Sequence, residues 1–224
     1  MKKHISALLA LSIILLLSAC GGQSQPQDPS GSLSSETSES NQSGSEQQST
    51  QSDAAQEFLS SITPETAEAK GVCGADLYWY YQDNVLVIKG TGEMTDYSGS
   101  MIDLPWRAYE DEIGKVIIDE GCTTISNGVF ESFDFLSSMI IPNTVTYVGS
   151  FTNSREMKSV IIPASVTKMR YIKSDLEEIT FLGDAPEITE DLFLFGPTTI
   201  YYHGSGFEPY MEATADSDVT WVKQ

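Results

Sequence analysis

The chain has 224 residues, with 32 Asp+Glu against 12 Lys+Arg and a formal net charge of −20. That balance excludes a surface built to track phosphates, so a nucleic-acid partner is not expected, and anionic headgroups are repelled as well. What remains is a well-solvated, outward-facing protein, with cationic partners as the next reading of the acidity.

The first element is a targeting segment. Lys2, Lys3 and His4 precede an apolar run from Ile5 to Leu17, which closes on Leu17-Ser18-Ala19-Cys20. The run is too short, and wrongly flanked, for a stable membrane span. Its ending resembles a bacterial lipobox. The resemblance implies a signal peptide of residues 1–19, a diacylglyceryl thioether on Cys20, and a chain held on the extracellular face of the bacterial membrane. The alternative is an ordinary secretory signal with an incidental cysteine. Each buried methylene contributes about 0.8 kcal/mol, so two acyl chains anchor where one barely does. Without residues 1–19 the chain keeps 10 Lys+Arg against 32 Asp+Glu, a net charge near −22.

Residues 20–69 read as a tether. From Gly21 to about Pro64 the composition is Ser, Gln, Glu and Gly, too poor in apolar residues to offset the entropy of ordering. As a flexible coil of about 44 residues its ends lie roughly 35–40 Å apart. A short helix is expected across 53–61, around Phe58 and Leu59.

Residues 71–112 follow as an N-terminal β cap. Leu77, Trp79 and Tyr81 alternate on one face, Leu86 and Ile88 on another, and Gln82-Asp83-Asn84 between them is turn chemistry, which predicts a hairpin. Pro105-Trp106 opens a short helix, with proline in its first turn. Trp106, Tyr109 and Ile113 fall at helical spacing and are expected to pack on the element that follows.

That element, residues 113–204, is one short pattern written about four and a half times. Its first copy is Ile113, Val116 and Ile118. The copies continue as Leu136, Met139 and Ile141, then Met157, Val160 and Ile162, then Leu176, Ile179 and Phe181, and end on Ile200 and Tyr202. The middle residues lie 23, 21, 19 and 21 positions apart. A period near 20 suits a solenoid coil with one strand and one return segment. Nine positions after each middle residue stands another apolar one: Ile125, Val148, Met169 and Ile188. The first part of each coil therefore has fixed geometry, and the return carries the variable length.

The runs Ser138-Met-Ile-Ile-Pro-Asn-Thr-Val-Thr-Tyr-Val-Gly149 and Ser159-Val-Ile-Ile-Pro-Ala-Ser-Val-Thr-Lys-Met169 resemble the leucine-rich repeats of BspA-like bacterial surface proteins. Lys115 to Leu136 is the fullest match and includes Val129-Phe130, where that family places a small residue before Phe. The segment holding Cys73-Gly74, Gly90-Thr-Gly92 and Pro105-Trp106 resembles what often precedes these repeats. Thr199-Ile-Tyr-Tyr202, with a short helix over 207–213 and a strand over 219–222, resembles how they often end. The implied fold is mainly β: a short leucine-rich-repeat solenoid of about 4–5 coils with a parallel sheet, an N-terminal β-hairpin and short-helix cap, and a C-terminal cap at 205–224. The resemblance also implies a cell-surface protein that binds or adheres to a protein or glycan partner. The alternative is a structural or accessory envelope module without a host ligand.

The residues offer no reactive constellation, so an enzyme is not expected. Beyond the signal segment one histidine remains, His203, and no serine sits in a nucleophile-elbow context. Cys73, Cys122 and His203 lack zinc spacing, and no EF-hand-like loop occurs. The runs Glu110-Asp111-Glu112 and Asp119-Glu120 are weak calcium candidates that more commonly stay solvated. Neither a metal nor a cofactor is expected. An oxidising compartment permits a Cys73–Cys122 disulfide. Cys122, however, takes the coil position held later by Val145 and Val166, where a thiol serves as a small hydrophobe.

The candidate site is the set of residues between the inward strand positions: Ile117, Ile140, Ile161, Thr180 and Tyr201. Alternation points them away from the core and stacks them into one column. The family resemblance leads one to expect small polar residues there. An apolar column, rimmed by Lys115, Lys158, Glu177 and Glu178, is either a partner-binding face or a face covered by a cap, the neighbouring sheet or the tether.

Overall fold

The computed structural model describes residue 53 and residues 55–224, apart from 99–102, 153, 191 and 195. The signal segment, Cys20 and the tether as far as residue 52 lie outside the described residues. The order begins with a helix α1 (55–61) and strands β1 (Ala69–Val72), β2 (Gly74–Gln82) and β3 (Val85–Met94), before a 3-10 turn at Arg107–Tyr109. Then come β4 (Lys115–Ile118), β5 (Thr124–Ile125), β6 (Ser138–Ile140), β7 (Tyr147–Thr152), β8 (Ser159–Ile162) and β9 (Lys168–Ser174). The chain continues through β10 (Glu178–Phe181), β11 (Glu187–Ile188), β12 (Leu192–Leu194), β13 (Thr198–Tyr202), helix α2 (Glu208–Ala213) and β14 (Val219–Lys223).

The hairpin forms as its turn residues dictate. Asp83 and Asn84 have φ of 49° and 64°, the double positive pair that a two-residue hairpin turn requires. β2 and β3 pair antiparallel, with Trp79 opposite Ile88. Gly90, at φ 121°, allows β3 to run close under β2, because a Cβ there would strike the Asp76 carbonyl.

β3 is also the first rung of the solenoid. Leu86 and Ile88 pair in parallel with Val116 and Ile118 of β4, and β4 pairs in parallel with β6. A second parallel ladder, β8–β10–β13–β14, continues this front face in chain order. The repeat therefore makes parallel strands in sequence order, as the spacing requires. The returns go further than expected: they form their own parallel ladder, β5–β7–β9–β11, with Ile125, Val148, Met169 and Ile188 in register. That is the physical reason for the constant offset of nine. Each coil has two strands, and the link between them is fixed.

The core lies between these two faces. Val116, Ile118, Val160, Ile162, Ile179, Phe181 and Ile200 from the front meet Ile125, Val148 and Met169 from the back, all buried. Aromatic residues close the N-terminal end. Trp106 is fully buried, donates Nε1–H to the Val129 carbonyl at 3.1 Å, and stacks on Phe130 at 5.9 Å. Trp79 meets it edge-on at 6.2 Å. At the other end Phe207 packs against Phe181, Tyr202 and Trp221.

Three expectations are corrected. The tether does not run to residue 69: α1 is folded and strand structure begins at Ala69, because Ala55, Leu59 and Ile62 supply a buried apolar stripe within an otherwise polar tract. The helix opened by Pro105 is one 3-10 turn, its backbone closing through the Tyr109 N–H on the Trp106 carbonyl. The solenoid proper starts at β3 rather than at residue 113.

Candidate functional site: the outer face of the front sheet

Strand registry builds the column and lengthens it. Tyr80 lies opposite Val87, Val87 opposite Ile117, and Ile117 opposite Ile140. Further along, Ile161, Thr180, Tyr201 and Val222 stand in register. All the residues singled out in the sequence fall on this one face. Val87 and Val222 extend it and were not anticipated. The signal for Val87 was present, since Leu86-Val87-Ile88 repeats the alternation of Val116-Ile117-Ile118.

The face is covered at one end and open at the other. Val87 and Ile117 are 0% and 1% exposed, beneath Ala55, Leu59 and Ile62 of the α1 segment. Those three residues sit at i, i+4 and i+7, one stripe of a helix. Burying Leu59 and Ile62 contributes about 1.5–3 kcal/mol each. Lys89 Nζ donates to the Leu59 carbonyl at 2.8 Å, satisfying an orphan group at the end of α1. Ile117 is thus not a free surface residue. Ile140 is half-buried beside α1, Ile161 is 36% exposed, and Thr180 and Tyr201 are partly exposed.

Between the covered and open rungs lies a cleft of about 350 Å3, lined by Ala55, Gln56, Leu59, Ile117, Ile140 and Ile161 among others. It falls where the front ladder is interrupted, since β6 and β8 belong to different hydrogen-bonded sheets. Behind it the β7–β9 pairing is unbroken. At the rim, Lys158 Nζ lies 3.7 Å from Glu177 Oε1, with both side chains more than half exposed. An exposed pair of this kind contributes little to stability.

The two described cysteines are buried as free thiols. Burial pushes the Cys73 thiol up to about 12, with Cys122 nearby adding to the shift. Burial likewise pushes Cys122 up to about 11, and its thiol donates to the Thr124 carbonyl at 3.3 Å. Such thiols are poor nucleophiles and poor metal ligands. Among the described residues no three His, Cys, Asp or Glu side chains stand together as a metal set. No described helix is long and apolar enough to cross a membrane.

Residues 109–172 match the BspA type leucine rich repeat region, in six copies. Among solved structures, a leucine-rich repeat protein from Eubacterium ventriosum aligns with a TM-score of 0.39 and 17% identity, over 62% of this chain. The chain spans 40% of the length of that protein. No curated protein matches the chain. With two parallel strands per coil, a period near 20 residues and the repeat match across the central coils, residues 109–172 are a BspA type leucine-rich repeat region.

Proposed function

We propose that this is a lipid-anchored protein of the bacterial cell surface, held in the membrane through Cys20, whose repeat domain binds a protein partner on the open rungs of its front sheet. The observation that carries the reading is Ile161: a large aliphatic side chain on a parallel sheet, 36% exposed, in register with Thr180 and continuing toward Tyr201 and Val222. An exposed aliphatic side chain that continues a covered apolar column is where an interaction surface is sought, and Thr180 is the one polar residue between Ile161 and Tyr201. A protein suits it better than a glycan, because sugars need convergent hydrogen-bonding groups and aromatic platforms, and Tyr201 is the one aromatic residue among the five candidates.

Two substitutions test the proposal. Cys20→Ser should abolish incorporation of labelled palmitate and release the protein from the membrane fraction; continued labelling overturns the anchor. Ile161→Asp should lower binding at least tenfold on arrays of envelope and matrix proteins, with circular dichroism and melting unchanged. Unaltered binding overturns the assignment of the face, and selective retention of glycans on a parallel array overturns the choice of a protein.

A further inference from the structure

Helix α1 differs from the rest of the molecule in how it is attached. Every front strand is held by a ladder. Among the described residues, α1 makes no backbone hydrogen bond to the sheet; what fastens it is the burial of Ala55, Leu59 and Ile62 and the Lys89 ammonium on the carbonyls of Leu59 and Ile62. The helix is two turns long, well below the length at which helices persist unaided in water. It carries Ser60 and Ser61, whose hydroxyls bond back to the Gln56 and Phe58 carbonyls and weaken helix preference. It can therefore leave without breaking a ladder bond. What it would uncover is a contiguous apolar strip, Val87–Ile117–Ile140, running into the open Ile161 across the cleft.

We infer that α1 is a built-in occupant of a helix-binding groove, and that the groove's external ligand is an amphipathic helix of a partner protein with a basic outer face. This rests on the reading of the same sheet face as a binding surface. α1 shows which shape the rungs accept: an aliphatic i, i+4, i+7 stripe laid across parallel strands. The open rungs continue that established contact. The cleft supplies the charge preference, because Asp119 and Glu120 outnumber Lys115 in its lining, in a chain of net charge −20. While α1 sits in the groove, the partner's apparent affinity is reduced by the fraction of molecules in which the groove is free.

The test uses the full chain and a synthetic peptide. The peptide has the sequence of residues 53–63, with lysine in place of Gln56, Glu57 and Ser60, and carries a fluorophore. The double variant Leu59→Glu, Ile62→Glu should bind it at least tenfold more tightly than the natural chain does, and adding Ile117→Asp should remove that gain. Equal binding by the two chains overturns the inference, as does no binding to a natively folded double variant or loss of the fold in it. Hydrogen exchange on the unaltered chain gives a second reading. The amides of 55–62 should exchange at least a hundredfold faster than those of β3 and β4, whereas exchange at one common rate would show that α1 is a fixed part of the core. Neither result depends on the native partner, so failure here leaves the Ile161 assay to judge the open rungs separately.

Discussion

At the scale of single residues, burial decides more than chemical type. Cys73 and Cys122 have the chemistry of a disulfide or a metal site, yet the fold uses them as small hydrophobes at 1% and 0% exposure. The consequence is a stability that depends on alkaline pH. Both thiols titrate higher in the folded chain than in the unfolded one, where they ionise near the ordinary value of 9. Below pH 9 their contribution is fully present. Between about 9 and about 12 the unfolded chain releases protons that the folded chain retains, so stability falls as pH rises through that window. The urea midpoint should be flat from pH 7.5 to 9 and drop by pH 10.5, and a Cys73→Ala, Cys122→Ala variant should show a shallower drop. Iodoacetamide should label the thiols slowly in buffer and rapidly in urea; a chain that resists labelling in urea would instead contain a disulfide.

At the scale of elements, the interruption between β6 and β8 makes a prediction of its own. Backbone groups of β8 that face β6 have no ladder partner in the front sheet, whereas β10 donates to β8 along its length. Amides on that side of β8 should exchange faster than those of β10, although Val160 and Ile179 beneath them are equally enclosed. Much of this level was legible in the sequence. Parallel order, coil length and the inward set followed from Val116, Met139, Val160, Ile179 and Ile200, because a solenoid's contacts are local and its period is written directly in the apolar pattern. The second ladder was half legible: the constant offset to Ile125, Val148 and Met169 announced a fixed geometry but not that those residues pair. The covered part of the site was not legible. Whether Ile117 faces water depends on where the helix over 55–61 comes to rest, and a stripe of three apolar residues does not name its destination. The double role of β3 was hidden for a similar reason, since hairpin chemistry at Asp83-Asn84 accounts for one edge of the strand and says nothing of the other.

For the whole molecule, the coils divide into an N-terminal set on the ladder β3–β4–β6 and a C-terminal set on β8–β10–β13–β14, and the pairing of β7 with β9 carries the connection behind. Met169, with no exposure, stands on that connection between Val148 and Ile188. Met169→Ala should cost about 2–5 kcal/mol. It should also separate one unfolding transition into two, read by tryptophan fluorescence, because Trp79 and Trp106 report one set of coils and Trp221 the other. A single transition that merely moves to lower temperature would show that the two sets remain coupled through the front as well.

A spine that is continuous behind a page that is split has a further consequence. Flexing along the line between Ile140 and Ile161 stretches no inter-strand bond in front and bends only the two-strand spine behind, so the curvature of the outer face is an adjustable quantity. A flat partner and a rounded one would each meet the same side chains at a different opening of that hinge.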